Sequence, residues 1–117
     1  MSIAPIEGRF REASKAYLRP ILGEIGDVPT GSIAAYHKEL RSRPMPIHAG
    51  MLAGLGTIRT NAAGFRTTLD DADYRAIHRS LERMLSDGAR GVSLGLGYAP
   101  ECVTTLSGSI KLIFLAS

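Results

Sequence analysis

The sequence predicts an α/β fold built around a parallel sheet, and three observations carry that expectation. Residues 45–59, "MPIHAGMLAGLGTIR", and residues 90–96, "RGVSLGL", are apolar or small with few charges, the composition of strands buried on both faces. Between them residues 67–88, "TTLDDADYRAIHRSLERMLSDG", carry the clearest amphipathic helix pattern in the chain. A strand, helix, strand order is the signature of a parallel pair joined by a crossover helix. The chain has 117 residues, 44% of them hydrophobic, which is enough to bury the core of one small domain.

Residues 9–18, "RFREASKAYL", space Phe10, Ala13 and Tyr17 at helical intervals, and Pro20 is expected to end that helix. The following "GEIGDVPTG" reads as a loop. A second amphipathic helix follows in "TGSIAAYHKEL", with Ile33, Tyr36 and Leu40 at i, i+3 and i+7, Thr30 or Ser32 as its cap, and Pro44 and Pro46 as its breakers. Residues 45–59 then form the first strand and its exit turn, with glycines that argue for close backbone packing. In the long helix Thr68 is placed to cap, Asp70 and Asp71 sit in the first turn, and Tyr74, Ile77, Leu81, Met84 and Leu85 form one stripe. Gly88 supplies the left-handed residue that stops it. After the second strand comes a glycine-rich turn, "GLGYAP", which presents Tyr98 where parallel α/β proteins usually hold ligands. Residues 106–117, "LSGSIKLIFLAS", end on an apolar run interrupted only by Lys111, a β-prone segment that needs covering.

Fourteen Lys and Arg against 11 Asp and Glu give a net charge of +3 without a strong field. The densest basic group, Lys38, Arg41 and Arg43, falls near a helix C-terminus, where cations complement the dipole. It lacks the aromatic interleaving of single-strand binders, so no nucleic-acid partner is expected. The single cysteine, Cys102, excludes an internal disulfide and a Cys-rich zinc module, and the expected compartment is the cytoplasm. The opening "MSIAPIEGRF" lacks the basic start and apolar run of a signal peptide, and no window approaches the roughly 18 apolar residues of a membrane span.

A metal motif is not legible: His37, His48 and His78 form neither an HxH pair nor an i, i+4 pair. His37 and His78 read as surface residues, and His48 as a hydrogen-bonded core histidine on the first strand. Cys102 and Ser93 have no neighbouring base in sequence to activate them. In "GLGTIR" and "GLGYAP" the sixth positions are Arg59 and Pro100, so neither completes a dinucleotide fingerprint, and both read as turns. The pair Asp70 and Asp71 is explained by the helix dipole. Residue patterns alone therefore nominate no catalytic group.

Two segments in order, "GLGTIRTNAAGF" and "LSDGARGVSLGLGYAPE", resemble the middle of the N-acyl-D-amino-acid deacylase (D-aminoacylase) family of the amidohydrolase superfamily. The resemblance spans roughly residues 2–105, and "MSIAPIEG" is similar to the family's stretch after a strand-end Asn-Cys-Gly. It implies a partial TIM (β/α)8 barrel, about two β/α units plus preceding helices: residues 1–44 a helical lead-in, 45–105 two β/α units, and 106–117 an atypical apolar C-terminus. It also implies hydrolase chemistry on the linear amide of a small N-acyl amino acid, with a zinc-bound hydroxide attacking the carbonyl and an aspartate moving the proton. The family's zinc ligands map to no residue of this chain, and Cys102 does not match the family's metal cysteine.

The one site residue the resemblance carries over is Tyr98, matching a tyrosine at the catalytic mouth that binds the substrate carboxylate; the alternative is a tyrosine that packs at the strand end. Leu55 stands where the family commonly has histidine, His48 where it has asparagine, and the C-terminal run lacks the acids of the family's next helix. The expectation is a piece of a metal-dependent amidohydrolase, inactive alone. The alternatives are a non-catalytic module that completes a barrel with a partner chain through its sheet edges and its "IKLIFLAS" end, and a gene remnant without function.

Overall fold

The computed structural model describes residues 4–26, 29–97, 99–103, 108 and 111. Among them the chain forms four α-helices and two short strands, in the order α1 (Arg11–Leu22), α2 (Ile33–Arg41), β1 (Ala53–Gly54), α3 (Leu55–Ala63), α4 (Asp71–Ser86) and β2 (Val92–Ser93). Single 3-10 turns stand at Gly8–Phe10 and Glu101–Val103. The strands pair in parallel, Ala53 opposite Val92 and Gly54 opposite Ser93, with α3 and α4 between them in the chain. The architecture is mixed helix and strand with a parallel pair, as the α/β expectation requires.

The long helix α4 forms where its pattern places it, and its face is nearly the expected one. Ile77, Leu81 and Met84 are buried and meet Ile33 of α2, Ala53 of β1 and Leu55 and Ile58 of α3 in one core, with Tyr74 packed at its margin. Leu85, the last member of the stripe, is 39% exposed. The cap is Asp70 rather than Thr68: its carboxylate accepts from the Asp73 amide at 2.8 Å, while Asp73 accepts from the Asp70 amide at 3.0 Å, a reciprocal capping box. That amide bond holds the Asp70 carboxyl below the usual carboxylate range. Gly88 follows the helix at φ +102°, the left-handed stop the sequence calls for.

The expected strand over residues 45–59 is instead three different structures. Residues 45–50 are exposed and irregular, with bends at Pro46 and Ile47, only Ala53–Gly54 pair as a strand, and "LGTIR" starts α3. The glycines of "GLGTIR" are therefore not a turn; Gly54 is the N-cap of α3 and Gly56 lies inside it. A short apolar run with small residues does not distinguish a buried strand from a buried helix by periodicity, and here burial overrides glycine's low helix propensity. Every residue from 53 to 60 is buried, because α3 packs between α4, α1 and the Gly8–Phe10 turn. The second strand is likewise two residues long and only half-buried, shorter than the run "RGVSLGL" suggests.

Helix α1 runs through Pro20 to Leu22 rather than stopping there. Pro20 sits on the exposed side near the helix end, where the one backbone bond it forfeits leaves the Ala16 carbonyl facing water. The buried face is Ser14 and Leu18, with Tyr17 half-buried against the Phe65 ring at 5.4 Å and Ala13 exposed. Ser32 caps α2 by accepting from the Ala35 amide at 3.0 Å, one of the two caps the sequence offers.

The segment before α1 is threaded into the fold. Ala4 and Ile6 are buried, the Ile6 amide donates to the Thr30 carbonyl at 2.8 Å, and Asn61 of α3 donates to the Pro5 carbonyl at 2.8 Å. Glu7 pairs with Arg83 of α4. Gly64 ends α3 at φ +62°, ψ −139°, a region that side chains strongly disfavour, and a Cβ there stands 2.8 Å from Cε1 of Phe10. Gly64→Ala is expected to lower stability by about 1–3 kcal/mol in urea denaturation; a loss under roughly 0.5 kcal/mol, the range of inert surface changes, contradicts the turn geometry. Most of residues 106–117 lie outside the described residues, but Lys111 stands 4.4 Å over the Tyr74 ring and 3.7 Å from Asp71, against α4.

Candidate functional site

Two ends of the parallel pair must be considered, because ligands in parallel α/β proteins usually sit at the C-terminal ends of the strands. At that end β1 passes directly into α3, and Leu55 is buried at once. From β2 the chain continues through exposed Leu94 and Leu96. Tyr98, the substrate contact implied by the resemblance, lies outside the described residues. The chain is buried again at Pro100 and Glu101.

Behind this turn stands a feature that pattern reading missed. Arg59 of α3 is 0% exposed. Its guanidinium donates to the Arg66 carbonyl at 2.5 Å and, at 3.4 Å, to that of Gly64, so it ties down the connection between α3 and α4. Arg66 in turn makes a two-pronged bond to Asp73, 2.7 Å to each carboxylate oxygen, and Asp73 caps α4. Burial pushes the Arg59 pKa down, and the carboxylates of Asp73 and Glu101 oppose that shift. Arginine stays charged under such pressure. The sequence signal was available: one arginine inside an otherwise small and apolar run, "GLGTIRTNAAGF".

The other end, where the chain enters the strands, carries an open groove of about 710 Å³. Its walls are the end of α2, the turn after α4, and exposed residues between 45 and 50. It brings together His37, His48, Arg41, Arg43 and Arg90, which are far apart in sequence. His48 is exposed here rather than a core histidine, because the strand expected to bury it does not form at residue 48. His37 is half-buried rather than a plain surface residue, and its Nε2 is buried without a hydrogen-bond partner among the described residues. His78 lies 3.6 Å from Glu82 on the outer face of α4, as its charged surroundings predict.

The zinc implied by the resemblance needs at least three converging donors. Among the described residues no group of three His, Cys, Asp or Glu side chains is placed to hold a metal ion, and Cys102 is exposed. His37 and His48 share the groove with arginines and a single acid, Asp87, a donor set unsuited to a cation. The described residues do not fit zinc. No helix among them is long and apolar enough to cross a membrane. Compared with known proteins, the chain matches no family model, no curated sequence and no solved structure.

Proposed function

We propose that the chain is a sector of a (β/α)8 hydrolase of the N-acyl-D-amino-acid deacylase type, supplying part of the barrel wall and one loop of its mouth. The observation that supports this reading most is the parallel β1–β2 pair, joined through α3 and α4 and followed by the glycine-rich turn. In that role Tyr98 donates its phenolic proton to the carboxylate of a small N-acyl amino acid, and Arg59 fastens the connection between α3 and α4. The zinc chemistry belongs to residues outside those described here, so the chain by itself has no means of attacking an amide.

A complementation assay tests both halves of this reading. The purified chain with zinc and N-acetyl-D-leucine should show no turnover, and a deacylase barrel lacking the corresponding two β/α units should regain activity when the chain is added. Tyr98→Phe should then lower kcat/KM by about tenfold, the value of one hydrogen bond to a charged group. Stoichiometric zinc on the chain alone, with turnover, overturns the assignment.

A second reading has its own observation. A two-stranded parallel sheet has two unpaired edges, and exposed Leu52, Leu94 and Leu96 cluster about it, whereas parallel sheets are normally covered on both faces. On this reading the chain is a non-catalytic module that completes a barrel with a partner chain. Recovery of a stoichiometric complex whose assembly is lost on Leu52→Asp distinguishes it.

A further inference from the structure

The segment that leads into β1 is unusual for what it leaves unused. Residues 44–50, "PMPIHAG", are exposed throughout, and their backbone enters no hydrogen bond among the described residues. Pro44 and Pro46 lack N–H groups and the chain bends at Pro46 and Ile47, so the free donors beyond the bend run from His48 to Gly50. Directly after them the ladder begins, with the Arg90 amide on the Met51 carbonyl at 2.9 Å and the Ala53 amide on the Gly91 carbonyl at 2.8 Å. Residues 48–50 thus lead into β1 with a backbone unpaired among the described residues, a place where another strand can add.

Beside it lies the groove, and its side chains state what the added strand should be. Leu40, Met45 and Leu85 give it an apolar floor. Arg41, Arg43 and Arg90 surround that floor, and Asp87 is its one acid. Arg43 is engaged by Glu39 at 2.6 Å, while Arg41 and Arg90 have no ion pair among the described residues. Cγ of Arg90 lies 3.6 Å from where a Cβ of Gly50 would stand, so the stem of this side chain passes beside the free backbone. An open trough does not enclose a small molecule as ligand cavities do, whereas a run of free amides and carbonyls matches another backbone.

We propose that this groove binds an extended acidic peptide. The peptide pairs its backbone with residues 48–50, sets alternate apolar side chains against Leu40, Met45 and Leu85, and places carboxylates on Arg41 and Arg90. The surface lies at the entry end of the strands, and its test reads peptide binding rather than amide hydrolysis, so the two readings can fail separately.

Fluorescence anisotropy with the full chain and a fluorescein-labelled heptapeptide of alternating glutamate and valine tests the proposal. Saturable binding that weakens with salt is expected, with Arg41→Glu and Arg90→Glu each weakening it by about tenfold or more. Both arginines are exposed, so the variants should keep the parent's circular dichroism and thermal midpoint. The same peptide with alternate amides N-methylated keeps its charge but loses strand pairing, and should bind at least about tenfold more weakly. A lysine–valine peptide should not bind. Absence of saturation up to about 1 mM overturns the proposal. So does equal binding of the lysine or N-methylated peptides, which would reveal only non-specific adhesion.

Discussion

Arg59→Ala is expected to remove about 3–5 kcal/mol of folding stability, the largest loss from any single polar side chain described here. The side chain is fully buried, so truncation leaves a cavity as well as unpaired groups. The carbonyls of Gly64 and Arg66 lose their donor, and Asp73 and Glu101 lose the positive charge that offsets their own burial. Of these, the cavity and the two orphaned carbonyls weigh most, because Asp73 keeps its two-pronged bond to Arg66. A domain of this size has on the order of 5–15 kcal/mol in total, so the variant should stand near the edge of folding. Arg59→Met restores volume but not charge and should lose less than alanine; Arg59→Lys restores charge but cannot fork to two carbonyls, and should also fall between. Urea midpoints at constant slope measure the series. A loss below about 1 kcal/mol for alanine would place this guanidinium in water rather than in the core.

That arginine also marks where reading the sequence reaches its limit. Helix α4 was legible because its apolar period, acidic first turn and terminal glycine all point the same way. Its cap is Asp70 rather than Thr68, and Asp73 returns a second bond to the Asp70 amide; Thr68 also has an acid three residues on, Asp71, so the sequence does not decide between the two. Helix α3 was not legible, since small residues in a buried helix leave no amphipathic period, and its glycines suggest turns until the packing is known. The face of α1 was misjudged for a related reason: Ser14 is a buried polar residue, and counting apolar positions passes over it. The groove could not be read at all. Arg41 and Arg43 look like solvated cations at a helix end, and only the return of the chain after α4 brings Arg90 beside them. Tyr98 rests on resemblance alone and lies outside the described residues, whereas the buried Arg59 is a feature that only the geometry shows.

The remaining test concerns which face of α4 holds the core, and it separates two leucines that the sequence treats alike. Leu81→Ala is expected to cost about 2–5 kcal/mol, because Leu81 is 1% exposed and packs among Ile33, Ile58 and Ile77, where a deleted isobutyl group leaves a cavity the neighbours only partly fill. Leu85→Ala should cost about 1 kcal/mol or less, since its side chain is 39% exposed and removes much less area from water. The two residues stand one helical turn apart on the predicted stripe, so helix propensity changes equally in both variants and cancels from the comparison. What differs is burial alone. Urea denaturation of the pair therefore reads the rotation of α4 about its own axis: equal losses would mean that the helix turns Leu85 inward, closing the apolar floor of the groove and withdrawing the surface proposed to take an acidic strand.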